Sequence, residues 1–258
     1  MNDLVRPPFA VRLRALTPAR VGLGRTGVSL QTRDVLGFQL AHAQARDAVH
    51  ARLETGNLAA AIAAVAPATT AIRLHSAAPD RATYLQRPDL GRMLDQRNRE
   101  VLARIEPAAR DLVLVVADGL SALAVERHVP GMLAELLPRL VDWRIAPVCI
   151  VEQGRVAIGD EIGLLLQAGL SVILIGERPG LSSPDSLGAY ITWQPQPGRT
   201  DAERNCISNI RVEGLGYRDA AGQIMNSLTA ARRHQLSGTA LAEAARKLRN
   251  GLPDGREP

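Results

Sequence analysis

Five short apolar runs in the second half of the chain most constrain its fold. They are residues 112–116 (LVLVV), 145–151 (IAPVCIV), 172–175 (VILI), 189–193 (AYITW) and 206–212 (CISNIRV). Continuous apolar runs of this length, separated by helical patterns, fit parallel strands covered on both faces. Strand–helix alternation predicts an α/β fold with a right-handed, doubly wound, mostly parallel sheet. Ligands on such sheets collect at the carboxyl ends of the strands. Three polar, glycine-containing loops are expected there: Asp118–Ser121, Glu152–Val156 and Glu177–Ser186.

The first part of the chain reads differently. Residues 1–30 look irregular, with Pro7, Pro8 and Pro18 and three glycines. Val35, Leu36, Leu40, Val49 and Leu53 recur at helical steps, and Gly56 suits a helix stop. Further helices are expected over 57–66 and 88–105, then after Ser121 with a break near Pro130, over 160–167, 217–236 and 239–248. The change of character near Asp111 predicts an N-terminal arm and helical segment over 1–105 and an α/β domain over 106–258. The run Gly22-Leu23-Gly24-Arg25-Thr26-Gly27 has the letters of a dinucleotide fingerprint but no buried strand before it. It is expected to be a glycine-rich arm.

Aromatic residues are only 3% of the chain, so the core must be aliphatic. Residues 1–110 carry 16 arginines against 9 acids, whereas the remainder is slightly acidic. A basic half raises the question of nucleic acid, but the stacking residues that single-stranded nucleic acid needs are scarce. Two widely spaced cysteines, Cys149 and Cys206, make neither a disulfide framework nor a metal cluster and fit a reducing compartment. No secretory signal and no membrane-length apolar run is visible, so the cytoplasm is expected.

The five histidines show no metal-ligand spacing, and neither a nucleophile elbow nor a P-loop is present. Asp118 and Ser121 stand where a strand hands over to a helix, as helix caps or ligand contacts. Ser182-Ser183-Pro184-Asp185 has the same two readings, a helix start or exposed N–H groups that meet an anionic or amide oxygen of a ligand. Glu177 follows a buried strand and either pairs with an arginine or accepts hydrogen bonds from a ligand. Cys149 reads as a small core residue. Cys206 begins a strand after a polar loop and either packs inside or faces the site. A stand-alone enzyme acting on a nucleotide-like molecule through Asp118, Glu177 and Ser183 is the alternative reading of these loops.

Several segments together closely resemble one family. They are TPAR…GLGRTG, YLQRPDLGR (Tyr84–Arg92), VVADGLS, GRVAIGDEIG, LIGERPGLSSPDSL and RNCISNIR, in order from about Arg12 to the last helix. The chain resembles the small (light) subunit of ethanolamine ammonia-lyase. The resemblance implies a Rossmann-like α/β domain assembled with a larger TIM-barrel subunit, and adenosylcobalamin held between the two. The complex would convert ethanolamine to acetaldehyde and ammonia by radical rearrangement, with the substrate-handling residues on the large subunit. Cofactor-contacting positions of the family fall on Val156, Glu177 and Cys206. Arg155, Ser208 and Asn209 are candidates by adjacency. The histidine motif by which some cobalamin proteins replace the cofactor's own base is absent, so a base-on cofactor is expected. The first shared motif comes within about a dozen residues of Met1. Plain cytoplasm is therefore favoured over a bacterial microcompartment, whose associated members often carry longer N-termini.

Overall fold

A computed structural model of the chain describes residues 8–17 and 19–249. The irregularity expected before residue 8 and at Pro18 lies outside them. The described part of the arm is more regular than its prolines suggest. Helix α1 (Pro8–Leu16) leads to a small hairpin of β1 (Arg25–Thr26) and β2 (Ser29–Leu30), followed by the long α2 (Thr32–His50). The GLGRTG run enters that hairpin, with Gly22 and Gly27 at positive φ. It forms a turn between short strands and does not launch a helix.

Next come α3 (Thr55–Val65), β3 (Ala71–His75), α4 (Arg81–Gln86) and α5 (Gln96–Ala103). The single helix expected over 88–105 is two pieces, a 3-10 turn at Leu90–Arg92 and α5. Leu94 bridges to Ser76 between them. Asp95 restarts the helix, its carboxylate accepting from the Asn98 amide at 2.7 Å.

The remaining elements are β4 (Arg110–Ala117), α6 (Ala122–Leu136), β5 (Val148–Glu152), α7 (Ile158–Leu165), β6 (Ala168–Gly176), β7 (Leu187–Trp193), β8 (Arg204–Ile210), α8 (Tyr217–His234) and α9 (Gly238–Arg249). Six strands form one sheet in the order β3-β5-β4-β6-β7-β8. Side chains alternate across it with period two. Leu112, Leu114 and Val116 join a core with α3, α6 and α8, while Val113, Val115 and Ala117 join a second core with α5 and α7. Covering both faces is what makes these runs continuously apolar.

Expectations for the sheet with its connections, and for the helix after Ser121, are corrected. The sheet is mixed: the β3–β5, β5–β4 and β4–β6 pairs are parallel, but β6–β7 and β7–β8 are antiparallel. The reason lies in the connections. Residues 177–186 contain no helix and 194–203 only a 3-10 turn, so neither can carry the chain back for a parallel crossover. The same absence overturns the helix start expected at 182–185. That loop docks instead, with the Ser121 hydroxyl donating to the Pro184 carbonyl at 3.0 Å. The second correction is that α6 runs unbroken through Pro130. Val125, Val129, Met132 and Leu133 are buried on both sides of the proline, so packing holds the helix across the missing amide. Strand β3 is an addition, since the sequence reading assigned no strand to 71–75.

Candidate functional site

The loops after β4 and β5 leave the sheet on opposite faces, because α6 packs in one core and α7 in the other. A crevice opens where neighbouring loops diverge in this way. Its floor is tied by two buried side chains. Asp118, only 1% exposed, accepts from the Gly154 amide at 3.0 Å. Arg81 approaches the Asp118 carboxylate at 3.4 Å and donates to the Gly119 carbonyl at 2.9 Å and to the Gln153 side chain at 3.2 Å. Burial pushes the Asp118 carboxyl up to about 6, with Arg81 opposing the rise. Asp118 therefore points into the fold as the tie between two loops, which removes Asp118 from the stand-alone enzyme reading. Ser121 is the cap of α6, accepting from the Ala124 amide at 3.2 Å.

The ends of β4 and β6 meet closely. Gly119 adopts φ +55°, and a Cβ there would lie 2.2 Å from the Gly176 carbonyl oxygen. A Cβ on Gly176 would lie 2.1 Å from the Ser121 carbonyl oxygen. Both positions need glycine for the 118–121 and 177–186 loops to share one rim.

Two adjoining cavities open at this rim. The smaller, about 390 Å³, is walled by Tyr84, Val156, Glu177 and Tyr190 among others. The larger, about 780 Å³, runs between α5, the start of α7 and the loop before β8. Arg155 and Val156 line both. Val156, in the turn that starts α7, thus stands at their junction.

Glu177 lies just past β6. Its Oε2 accepts from the Ser186 hydroxyl at 2.6 Å and the Asn209 amide at 3.2 Å. Its Oε1 accepts no hydrogen bond among the described residues and remains available. The arginine pairing weighed from the sequence does not form among them. Cys206 lines neither cavity. It sits in β8 opposite Tyr190, exposed, with its sulfur 3.2 Å from the Ser208 hydroxyl. Ile207 and Ile210 point into the α8-side core, so Cys206 and Ser208 face the other way, onto sheet surface left open. Tyr190 connects the groups: it lines the smaller cavity, and its hydroxyl is made less acidic by burial first, then by the Cys206 thiol and Glu177. Val156 and Glu177 therefore share the smaller cavity, and Cys206 lies one strand away, beside its wall residue Tyr190.

Sequence reasoning missed the groups that hold this region in place. Tyr84 is fully buried, donates to the Gly154 carbonyl at 3.0 Å and carries the Arg155 guanidinium 4.2 Å from its ring centroid. Arg204, at the start of β8, makes two hydrogen bonds at 2.7 and 2.6 Å to Asp160 in the first turn of α7. Burial pushes the Asp160 carboxyl up while this guanidinium pulls it down. Arg99 of α5 pairs with Glu161 of α7 at 2.5 Å. The only advance signal was the place of Tyr84, Arg155, Asp160, Glu161 and Arg204 in the YLQRPDLGR, GRVAIGDEIG and RNCISNIR segments, because residues tens of positions apart show no local pattern. No histidine lines either cavity, and no group of three or more His, Cys, Asp or Glu is placed to hold a metal among the described residues.

Comparison with known proteins agrees along nearly the whole chain. The family model described as "Ethanolamine ammonia-lyase light chain (EutC)" matches residues 9–242. The ethanolamine ammonia-lyase small subunit of Ralstonia nicotianae is 56% identical over 238 residues, covering 90% of this chain and 87% of the relative. That of Pseudomonas aeruginosa is 56% identical over 256 residues, covering 95% and 93%. That of Xanthomonas campestris pv. campestris is 54% identical over 239 residues, covering 91% and 87%. With a family model spanning both the arm and the sheet, and relatives identical at more than half their aligned positions, this chain belongs to the ethanolamine ammonia-lyase light-chain family.

Proposed function

We propose that the chain is the small subunit of an adenosylcobalamin-dependent ethanolamine ammonia-lyase. In this reading it covers one side of the cofactor while a large TIM-barrel subunit covers the other and handles ethanolamine. The observation that carries the reading is that Val156 and Glu177 line one cavity at the strand ends, and that Tyr190 in its wall pairs with Cys206 on the neighbouring strand. Val156, Glu177 and Cys206 are the three positions that the family resemblance points to, and they come from three separate elements.

The residues present suit the group. A corrin is a broad apolar disc rimmed by amides. Val156 offers an apolar wall, and Glu177 Oε1 offers a free acceptor for an amide N–H or a ribose hydroxyl. Cys206 and Ser208 leave the sheet surface low enough for a flat ring. The open, two-lobed cavity is a partial enclosure, as expected of half a site. When bound, the cofactor supplies the radical chemistry that moves the amino group and yields acetaldehyde and ammonia, while this chain binds, orients and helps exclude water. None of the chain's histidines lines the cavities, which favours a cofactor that keeps its own base on cobalt.

The arm supports a second subunit. Phe9, Leu16, Val28, Leu36 and Leu40 are each more than half exposed, and α2 buries only Ala41 and Ala48. An apolar strip of this kind, set among arginines, marks an interaction surface. We assign it to the large subunit, with a division of labour near residue 106: docking before it, cofactor contact mainly after it. Among the described residues no helix is long and apolar enough to cross a membrane. A cytoplasmic complex is the matching location.

Co-expression with the large subunit, gel filtration with adenosylcobalamin and an ammonia assay test the proposal. The expected result is a complex that retains cobalamin and releases ammonia from ethanolamine, with retention weakened in Glu177→Ala. A complex whose cobalamin affinity is untouched by Glu177→Ala refutes the role given to that residue. Failure of the two chains to assemble refutes the subunit reading.

A further inference from the structure

Arg155 is the one arginine of this region that is both partly withdrawn from water and without an acid. Three other arginines lining the larger cavity are neutralised within the chain: Arg99 by Glu161, Arg199 by Glu203 and Arg204 by Asp160. Arg92 and Arg178 also line the cavities, but both are exposed and solvated. Arg155 makes no ion pair within 4 Å among the described residues. Its Nε is buried and has no hydrogen-bond partner among the described residues. A guanidinium held in that state, with no anion beside it, is unfavourable unless something else completes it.

The placement of Arg155 is fixed. Its amide donates to the Gly91 carbonyl at 2.7 Å, its Nη2 donates to the Tyr84 carbonyl at 3.2 Å, and its guanidinium stacks on the Tyr84 ring. Gly91 leaves room for the arginine stem, since a Cβ there would lie 2.8 Å from Arg155 Cγ. Tyr84 is itself locked by its hydroxyl on the Gly154 carbonyl. A planar, five-donor cation is thus held ready at the junction of the two cavities, with a buried donor edge unused.

We propose that Arg155 is the binding residue for the phosphodiester of the cofactor's nucleotide tail. The inference rests on the cobalamin reading above and deepens it. The corrin's peripheral groups are neutral amides, and the phosphodiester is the cofactor's anion. It matches the charge and the planar donors that Arg155 presents to both cavities.

The test uses the assembled two-subunit complex and two probes. Cyanocobalamin carries the nucleotide tail, and dicyanocobinamide lacks both the nucleotide and its phosphodiester. Dissociation constants are measured by absorbance titration for the native complex, for Arg155→Met and for Arg155→Lys. Arg155→Met is expected to weaken cyanocobalamin by roughly 10- to 100-fold, the range for a charge-assisted hydrogen bond, while cobinamide changes less than about 3-fold. Arg155→Lys, which keeps the charge and loses the fork, falls between; it decides the matter alone should the Met variant fail to assemble. Equal losses on both probes, or no loss on either, overturn the assignment. Weakened subunit assembly with unchanged cobalamin affinity also overturns it, and assigns Arg155 to a carboxylate of the large subunit instead. A native complex that binds neither probe overturns the cofactor reading and this assignment with it. A native complex that binds cobalamin, beside an Arg155→Met complex that binds it equally well, leaves the reading standing and removes only Arg155.

Discussion

Replacing Arg204 with methionine isolates the strongest single tie under the site. Arg204 and Asp160 are 2% and 1% exposed, and two hydrogen bonds at 2.7 and 2.6 Å join them. The guanidinium also donates to the buried Thr192 hydroxyl at 3.0 Å and to the Arg199 carbonyl at 2.9 Å. Arg204→Met strands the Asp160 carboxylate in a dry environment, a loss of about 3–5 kcal/mol for one partner of a buried pair. At roughly 2–4 °C per kcal/mol for a chain of this size, the melting temperature should fall by about 6–20 °C. The double change Asp160→Leu with Arg204→Met removes the stranded charge. It leaves the Thr192 and Arg199 acceptors without their donor, about 1 kcal/mol each, and frees the exposed Asp201 carboxylate to water. The double variant should therefore be more stable than the Arg204 single, with a coupling of at least about 2 kcal/mol. Acidity gives an independent check. Burial already raises Asp160, and loss of Arg204 raises it further. A carboxyl whose folded pKa is raised favours the folded state as pH falls, so the deficit of Arg204→Met should shrink on acidification. Urea and thermal unfolding of the purified chain, followed by circular dichroism, measure Arg204→Met, the Asp160→Leu single and the double variant. An Arg204→Met loss within about 1 kcal/mol of native, or strictly additive losses in the double, refutes the reasoning.

Two further outcomes follow from burial. Alkylation of the folded chain should modify Cys206 and spare Cys149, whose thiol is wholly buried and pushed up to about 12. Peptide mass mapping checks this, and rapid labelling of Cys149 in the native state would contradict the packing of β5. His128 is held below its usual range by burial, with Asp185 opposing, and its Nδ1 lies 2.8 Å from the Tyr217 hydroxyl. The unfolded chain then takes up this proton first, so stability present above about pH 6.5 is lost as pH falls. Asp118, raised to about 6, has the opposite sign over about pH 4–6, so the comparison must be made against a variant. His128→Gln should show a shallower acid loss than native in unfolding midpoints between pH 7 and pH 5, and an identical slope would refute the assignment.

Much of this was legible from residues alone. The runs at 112–116 and 172–175 announced β4 and β6, because strands covered on both faces have no polar alternation to hide. The helix expected over 217–236 is α8, which buries Ala220, Ile224, Leu228 and Ala231 along one face. The loops carrying Val156 and Glu177 were placed at strand ends by order along the chain. Strand direction was not legible, since an apolar run reports burial and is silent on which way it points. The short helix-free link at 177–186 turned β7 around, and only the three-dimensional chain shows it doing so. Nor could the sequence join Tyr84 to Arg155, Asp118 to Gly154 or Arg204 to Asp160. Those contacts span tens of residues, and local periodicity carries no information across a fold. The sequence thus determined which residues are buried and which turns are polar. Tertiary structure decided which of them meet, because sheet order and the length of each connection set distances that no single segment encodes.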